Sequence, residues 1–160
     1  MSGAHAASFV QPASFEFAPE SMEQVNRHIA KYPKGRQQSA VMPLLDIAQR
    51  QNGGWLPEAA IRVIGEMLNM PYIRVYEVAS FYTMYNLAPV GLHLVQVCTT
   101  TPCWLRGSDQ VMDACRQSLG VRNGQTSADG QFTLREVECL GACVNAPMMQ
   151  IGDDYYEDLD

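Results

Sequence analysis

No cysteine precedes Cys98 in this 160-residue chain, and no C-x-x-C pair occurs anywhere in it. The second absence argues against a thioredoxin-type dithiol centre, which is built on that spacing. Histidine is scarce: His5, His28 and His93 are the whole set, and none stands beside the cysteine pairs. That excludes a Rieske centre, which needs two histidine ligands next to the thiols. Positive charge is short as well, with 11 Lys+Arg against 17 Asp+Glu, a net charge of -6 and a pI near 5.0. A phosphate-binding face needs basic density, so nucleic acid is not an expected partner. No apolar run approaches the roughly 18–20 residues that cross a bilayer, so direct membrane insertion is not expected. The opening MSGAHAASFVQPASFEF lacks the basic start and apolar block of a signal peptide, and it lacks the arginines of a transit peptide. The expected setting is therefore reducing. There, cysteine clusters bind metal or do redox chemistry more often than they staple loops.

What is present supports a folded core. The chain is 47% hydrophobic and 18% charged, enough for one domain or a domain with an appendage. Residues 1–14 read as a flexible segment and 15–88 as a small helical bundle. Met22, Val25 and Ile29 recur at helical spacing between Pro19 and Tyr32, and Tyr32-Pro33 stops the run. Ser39 is placed to cap a second helix carrying Val41, Leu44, Leu45 and Ala48, with Pro43 tolerated in its first turn. Asn52-Gly53-Gly54 ends it, and Pro57-Glu58 opens a third with Ile61, Ile64 and Leu68. Pro71 opens a fourth with Val75, Val78 and Tyr82. Short joints between amphipathic helices make a bundle.

After a linker at Ala88-Pro89-Val90-Gly91 the pattern changes. Residues 92–97 (LHLVQV) read as a buried strand running into Cys98, and 132–138 as a second running into Cys139. Residues 104–119 between them read as one helix. Residues 148–151 and 155–157 read as short strands around a Gly152-Asp153-Asp154 turn. This order predicts a small α/β domain over 89–160. The sequence stops where such a domain would often add a closing helix. The acidic ending from Asp153 reads as a solvated edge. The aromatic run Phe81-Tyr82-Thr83-Met84-Tyr85 reads as core packing, and Trp55 as part of a structural turn or a partner surface.

All five cysteines fall in the second half. Cys98 and Cys103 frame a C-x4-C spacing, and Cys139 and Cys143 a C-x3-C spacing; each pair follows a predicted strand. Sites gather at strand ends because loops converge there while the sheet stays rigid. A 2Fe–2S cluster has two irons, each taking two thiolates, so two pairs from two loops meet its demand. Structural zinc more often shows C-x2-C knuckles. Two disulfides and a zinc-stabilised interaction module remain alternatives on spacing alone. Thr99, Thr100 and Thr101 offer donors to sulfur, and Gly141 permits a close bend. An acidic protein resists an added electron, so a low potential is expected, of about -400 mV by class. Cys115, with Val111 and Leu119 four residues either way, reads as a small buried hydrophobe.

Four blocks in order carry a resemblance: YPKGRQQSAVMPLLDIAQRQNGGWLP (32–57), MPYIRVYEVASFYTMYNLAPVG (70–91), VCTTTPCWLRG (97–107) and ECLGACVNAPMMQI (138–151). With these the sequence resembles the family of thioredoxin-like 2Fe–2S ferredoxin subunits of respiratory NADH:quinone oxidoreductase, complex I. The resemblance implies a thioredoxin-like 2Fe–2S ferredoxin domain behind the helical bundle, an α+β or α/β architecture. It carries the family's cluster ligands onto Cys98, Cys103, Cys139 and Cys143, the iron-binding residues expected here; Cys115 matches no ligand position. It implies an electron-transfer subunit whose cluster lies close to the FMN of a neighbouring NADH-binding flavoprotein subunit. Further partners are then other subunits of the peripheral arm. The implied location is the cytoplasmic side of a bacterial inner membrane, or the matrix side in a mitochondrion. FMN and NADH are expected on the partner, and this chain has no Gly-rich dinucleotide fingerprint. It is expected to hold no complete active site of its own while serving a quinone-reducing translocase. The corresponding 2Fe–2S subunit of an NAD-linked formate dehydrogenase or NAD-reducing hydrogenase is the alternative, and a free ferredoxin-like carrier is a further rival.

Overall fold

The computed structural model describes residues 9–160, so residues 1–8 of the segment expected to be flexible lie outside the described residues. Two compact units follow, meeting in sequence at Pro89 and Val90.

The first unit is helical. Its helices are α1 (Pro19–Ala30), α2 (Val41–Gln51), α3 (Glu58–Leu68) and α4 (Tyr72–Phe81). Each starts where a proline fixes φ: Pro19 at the first position of α1, Pro57 and Pro71 just before α3 and α4, Pro43 within the first turn of α2. Ser39 is not the cap of α2. A 3-10 turn, Gln37–Ala40, leads into that helix, and no side chain caps it. Val25, Leu44, Leu45, Ile61, Ile64 and Val75 are fully buried in one cluster. Each such aliphatic side chain contributes roughly 1.5–3 kcal/mol on leaving water. Gly65 lets the turn after α3 come close, since a Cβ there would lie 2.9 Å from the Met70 carbonyl oxygen. The segment ahead of α1 is pinned by Gln51, which accepts from the Ala18 N–H at 2.9 Å and donates to the Glu16 carbonyl at 2.8 Å. Phe9 packs edge-to-face on Trp55, covering the ring expected to be a turn or partner residue.

The aromatic run differs from expectation. Tyr85 is core, but Phe81 is 76% exposed, Met84 52% and Tyr82 40%. Helix α4 ends at Phe81, so the helical spacing that would turn Tyr82 inward no longer applies.

The second unit holds β1 (His93–Cys98), α5 (Thr101–Leu105), α6 (Ser108–Leu119), β2 (Phe132–Val137), β3 (Met149–Ile151) and β4 (Asp154–Tyr156). The sheet order is β2-β1-β3-β4. β1 and β2 are parallel, with His93 opposite Phe132 and Cys98 opposite Val137. Parallel neighbours need a crossover, which α5 and α6 supply. β3 and β4 are antiparallel, joined through Gly152 at φ +61°. Val95, Val97, Leu134, Met112 and Val121 form the core between sheet and α6. The single helix expected over 104–119 is two. Gly107, at φ +98°, breaks it, because left-handed backbone cannot continue an α-helix.

Candidate metal centre

The parallel register decides where the thiols go. Cys98 is the last residue of β1, paired with Val137, the last of β2. Both strands therefore end on the same edge of the sheet. Cys103 follows on α5, and Cys139 stands just past β2, with Cys143 opening a 3-10 turn, Cys143–Asn145. The backbone around Cys98 is fixed on both sides. Its N–H donates to the Met148 carbonyl and the Thr99 N–H to the Val137 carbonyl, each at 3.2 Å. The Thr99 hydroxyl donates to Glu136 at 2.9 Å.

All four expected residues come together, as two pairs. Cys98 and Cys103 are both buried, in one small cluster with Ala146 and Met148. Cys139 and Cys143 are exposed, with their sulfurs 3.3 Å apart. The pairs sense each other: Cys143 feels the charge of Cys98, and Cys103 that of Cys143. Among the described residues, no three His, Cys, Asp or Glu side chains converge on one metal point.

Donors surround the sulfurs. Thr100 Oγ1 lies 3.3 Å from Cys98 Sγ, and the Gly141 N–H donates to Cys139 Sγ at 3.4 Å. Burial alone would push the Cys98 thiol up. The Thr100 hydroxyl, the Leu140 and Thr100 amides and Cys103 outweigh it, and the thiol lies below its ordinary value. Burial pushes Cys103 up to about 11; its hydrogen bond to Cys98 and the charge there add to the rise, and the Met148 amide opposes it. Cys143 is raised chiefly by its hydrogen bond with Cys139, then by burial. Of these thiols, Cys98 is the one whose surroundings favour the thiolate, whereas those of Cys103 and Cys143 favour the thiol. A bound cation would draw off the remaining protons, because metal ligation requires thiolates. Cys115 is apart, half-buried on α6 with its sulfur 4.0 Å from Met149 Sδ and its thiol pushed up by burial.

The residues that hold this loop were not legible as site residues. Leu140 and Met148 act on the thiols through backbone amides, which leave no side-chain signal, while their side chains pack in the small buried cluster. Arg106 donates to the Ala146 carbonyl at 3.3 Å, tying the end of α5 to the segment after Cys143. The ending from Asp153 is not merely a solvated edge. Tyr155 donates to the Leu140 carbonyl at 2.7 Å, and Asn145 donates to Asp158 at 2.8 Å.

A sheet of this order with two thiol pairs at one edge defines a class, and likeness to known proteins gives it a name. The family model of the thioredoxin-like [2Fe-2S] ferredoxins matches residues 25–160, and the chain belongs to that family. Within it, the chain is a homologue of one subunit of NADH-quinone oxidoreductase. It is 58% identical to that subunit in Rickettsia bellii and 60% identical to that in Rickettsia conorii, each over 146 residues covering 91% of this chain and 87% of the relative. It is 54% identical to the mitochondrial NADH dehydrogenase [ubiquinone] flavoprotein 2 of Dictyostelium discoideum, over 91% of this chain and 59% of that protein. Among solved structures, an air-oxidized NAD+-reducing [NiFe]-hydrogenase shares the fold with a TM-score of 0.61 at 20% identity. That match covers 72% of this chain and 20% of the hydrogenase chain. Among the described residues no helix is long and apolar enough to cross a membrane.

Proposed function

We propose that this chain is the electron-transfer subunit of the NADH-oxidising module of a complex I-type NADH:quinone oxidoreductase. Cys98 and Cys103 hold one iron of a 2Fe–2S cluster, and Cys139 and Cys143 hold the other. The observation that carries this is the parallel β1–β2 register, which brings two cysteine pairs to the same end of the sheet. Structural zinc usually takes C-x2-C knuckles, and the wider C-x4-C and C-x3-C spacings here favour two irons over the zinc-stabilised module.

When bound, such a cluster takes up and gives back one electron at a time. The chain's own groups then have distinct tasks. The buried pair, packed with Ala146 and Met148, keeps water from one side. The amides of Leu140, Thr100 and Gly141 offset negative charge on sulfur. The exposed pair, Cys139 and Cys143, forms the side through which an electron enters or leaves.

The FMN and the NADH site belong, on this reading, to a neighbouring flavoprotein subunit of the peripheral arm, with the helical unit as a docking element. The parent is then a translocase, and the chain lies on the cytoplasmic or matrix side of its membrane. The hydrogenase likeness speaks only for the fold, whereas identities of 54–60% to NADH dehydrogenase subunits favour that parent. Anaerobic purification of the full chain tests the cluster. The expected result is a brown protein with two irons and two acid-labile sulfides, bleached by reduction. A colourless protein holding zinc refutes it. Co-purification from the source cell tests the parent: a large flavoprotein assembly is expected, and a free monomer refutes the subunit assignment.

A further inference from the structure

The exposed side of the sulfur site is held from the far end of the unit. Tyr155 lies on β4, and its hydroxyl donates to the Leu140 carbonyl oxygen at 2.7 Å. That oxygen belongs to the peptide unit joining Leu140 to Gly141. The N–H of the same unit donates to Cys139 Sγ at 3.4 Å. One amide thus receives a proton donor at its oxygen and gives its own N–H to sulfur. Bonds arranged head to tail in this way polarise and strengthen one another.

Gly141 itself leaves the segment room to turn. Gly141 stands at φ +87° and is exposed, and a Cβ there would meet nothing within 4 Å. Crowding at Gly141 therefore does not fix this peptide; its hydrogen bonds do, beside the packing of Leu140 and Ala142 on the small buried cluster. The tail carrying Tyr155 is itself anchored to the same loop. The Asp158 N–H donates to the Asn145 carbonyl at 2.8 Å and the Leu159 N–H to the Pro147 carbonyl at 3.1 Å. Leu140 itself packs against the small buried cluster that includes Cys98 and Cys103. The carbonyl that Tyr155 grips thus lies between that packing and the donor serving Cys139.

We propose that Tyr155 is a positioning residue of the sulfur site: its hydroxyl orients and polarises the Leu140–Gly141 peptide and so sets the N–H···S bond to Cys139. This rests on the cluster reading above. An N–H donated to a ligand sulfur favours the more negative, reduced state. Removing the hydroxyl therefore lowers the reduction potential and frees the loop.

The test uses full-length Tyr155→Phe, with Tyr156→Phe as the control that removes a hydroxyl from the next residue on the strand. Tyr155 is 48% exposed and Phe keeps its ring, so folding is retained and is checked by circular dichroism. Redox titration of the iron-loaded proteins is expected to give a more negative potential for Tyr155→Phe, with iron content unchanged. Tyr156→Phe is expected to match wild type. In cluster-free protein, amide hydrogen exchange over residues 139–145 is expected to run about fivefold faster in Tyr155→Phe, the factor that loss of one ordinary hydrogen bond gives an opening equilibrium. A potential and an exchange rate equal to wild type in Tyr155→Phe overturn the inference and leave the cluster reading intact. Wild-type protein without iron or sulfide overturns the cluster reading, and the exchange comparison then decides the positioning role alone.

Discussion

In the helical unit one apolar cluster runs from Phe17 to Tyr85 and draws on all four helices. In residues 90–160 the buried side chains fall into two groups: one between sheet and α6, and a smaller one around Cys98 and Cys103. The first unit closes its interior mainly with hydrocarbon, though Asn86 and the Tyr85 hydroxyl are buried in it with hydrogen-bond partners. The second closes only part of its interior that way and finishes the rest with thiols, two of which face solvent. Hydrophobic burial is non-directional and tolerates many arrangements. A site of thiols and amides depends on directed bonds, and the loops around it are fixed by named hydrogen bonds as well as by packing. The helical unit is thus expected to be insensitive to cluster loss, and the sheet unit to respond at its cysteine edge.

The largest effect that could break this contrast is ligand removal. Cys98→Ala and Cys139→Ala are each expected to abolish iron binding, read by metal analysis and loss of visible absorbance. Hydrogen exchange is expected to rise over residues 98–105 and 139–147 while α2 and α3 keep their protection. Equal loosening of both units would erase the distinction.

Core truncation comes next. Leu45→Ala in the bundle and Leu134→Ala under the sheet remove fully buried side chains, and each is expected to cost about 2–5 kcal/mol in chemical denaturation. Only Leu134→Ala is expected to slow cluster assembly, because β2 leads into Cys139.

A smaller effect tests how the sheet unit begins. The Gly91 N–H donates to the buried Thr133 hydroxyl at 2.6 Å, and that hydroxyl also meets Thr126 at 2.7 Å. Thr133→Val keeps the shape but strands these partners, at a cost of about 1–3 kcal/mol. Gly91→Ala is expected to destabilise as well, since its Cβ would lie 2.8 Å from the Phe132 backbone. Equilibrium unfolding reads both.

The smallest effect is confined to the bundle. Burial pushes the Tyr85 phenol up from 10.0 to about 12, with the nearby charge of Asp46 adding, and its hydroxyl donates to the Met42 carbonyl at 2.9 Å. The folded value lies above the unfolded one. Its contribution is therefore complete below pH 10 and is lost as pH rises toward about 12. Tyr85→Phe is expected to flatten that decline in the stability of the helical unit.

The helices were readable because their signals are local. Prolines fix the starts of α1, α3 and α4, and apolar residues recur every three or four positions. The same rule misplaced Tyr82 and Phe81, because periodicity does not say where a helix ends. It also joined α5 to α6, because a glycine within a helical pattern does not announce a left-handed φ. The four cysteines were readable as two pairs because thiol chemistry is written in side chains. Their amide donors and the grip of Tyr155 were not. Leu140 meets Tyr155 through a main-chain oxygen, and Tyr155 stands 15 residues from it.

Composition and short-range spacing were sufficient for the helical unit, for the change of character after Pro89 and for the grouping of four cysteines into two pairs. Three outcomes had to wait for the folded arrangement: Cys98 and Val137 end side by side, one thiol pair is buried while the other is exposed, and the last residues clasp the cysteine loop. Those outcomes depend on strand register and on hydrogen bonds between segments far apart in sequence, and no local pattern encodes a partner that arrives from elsewhere.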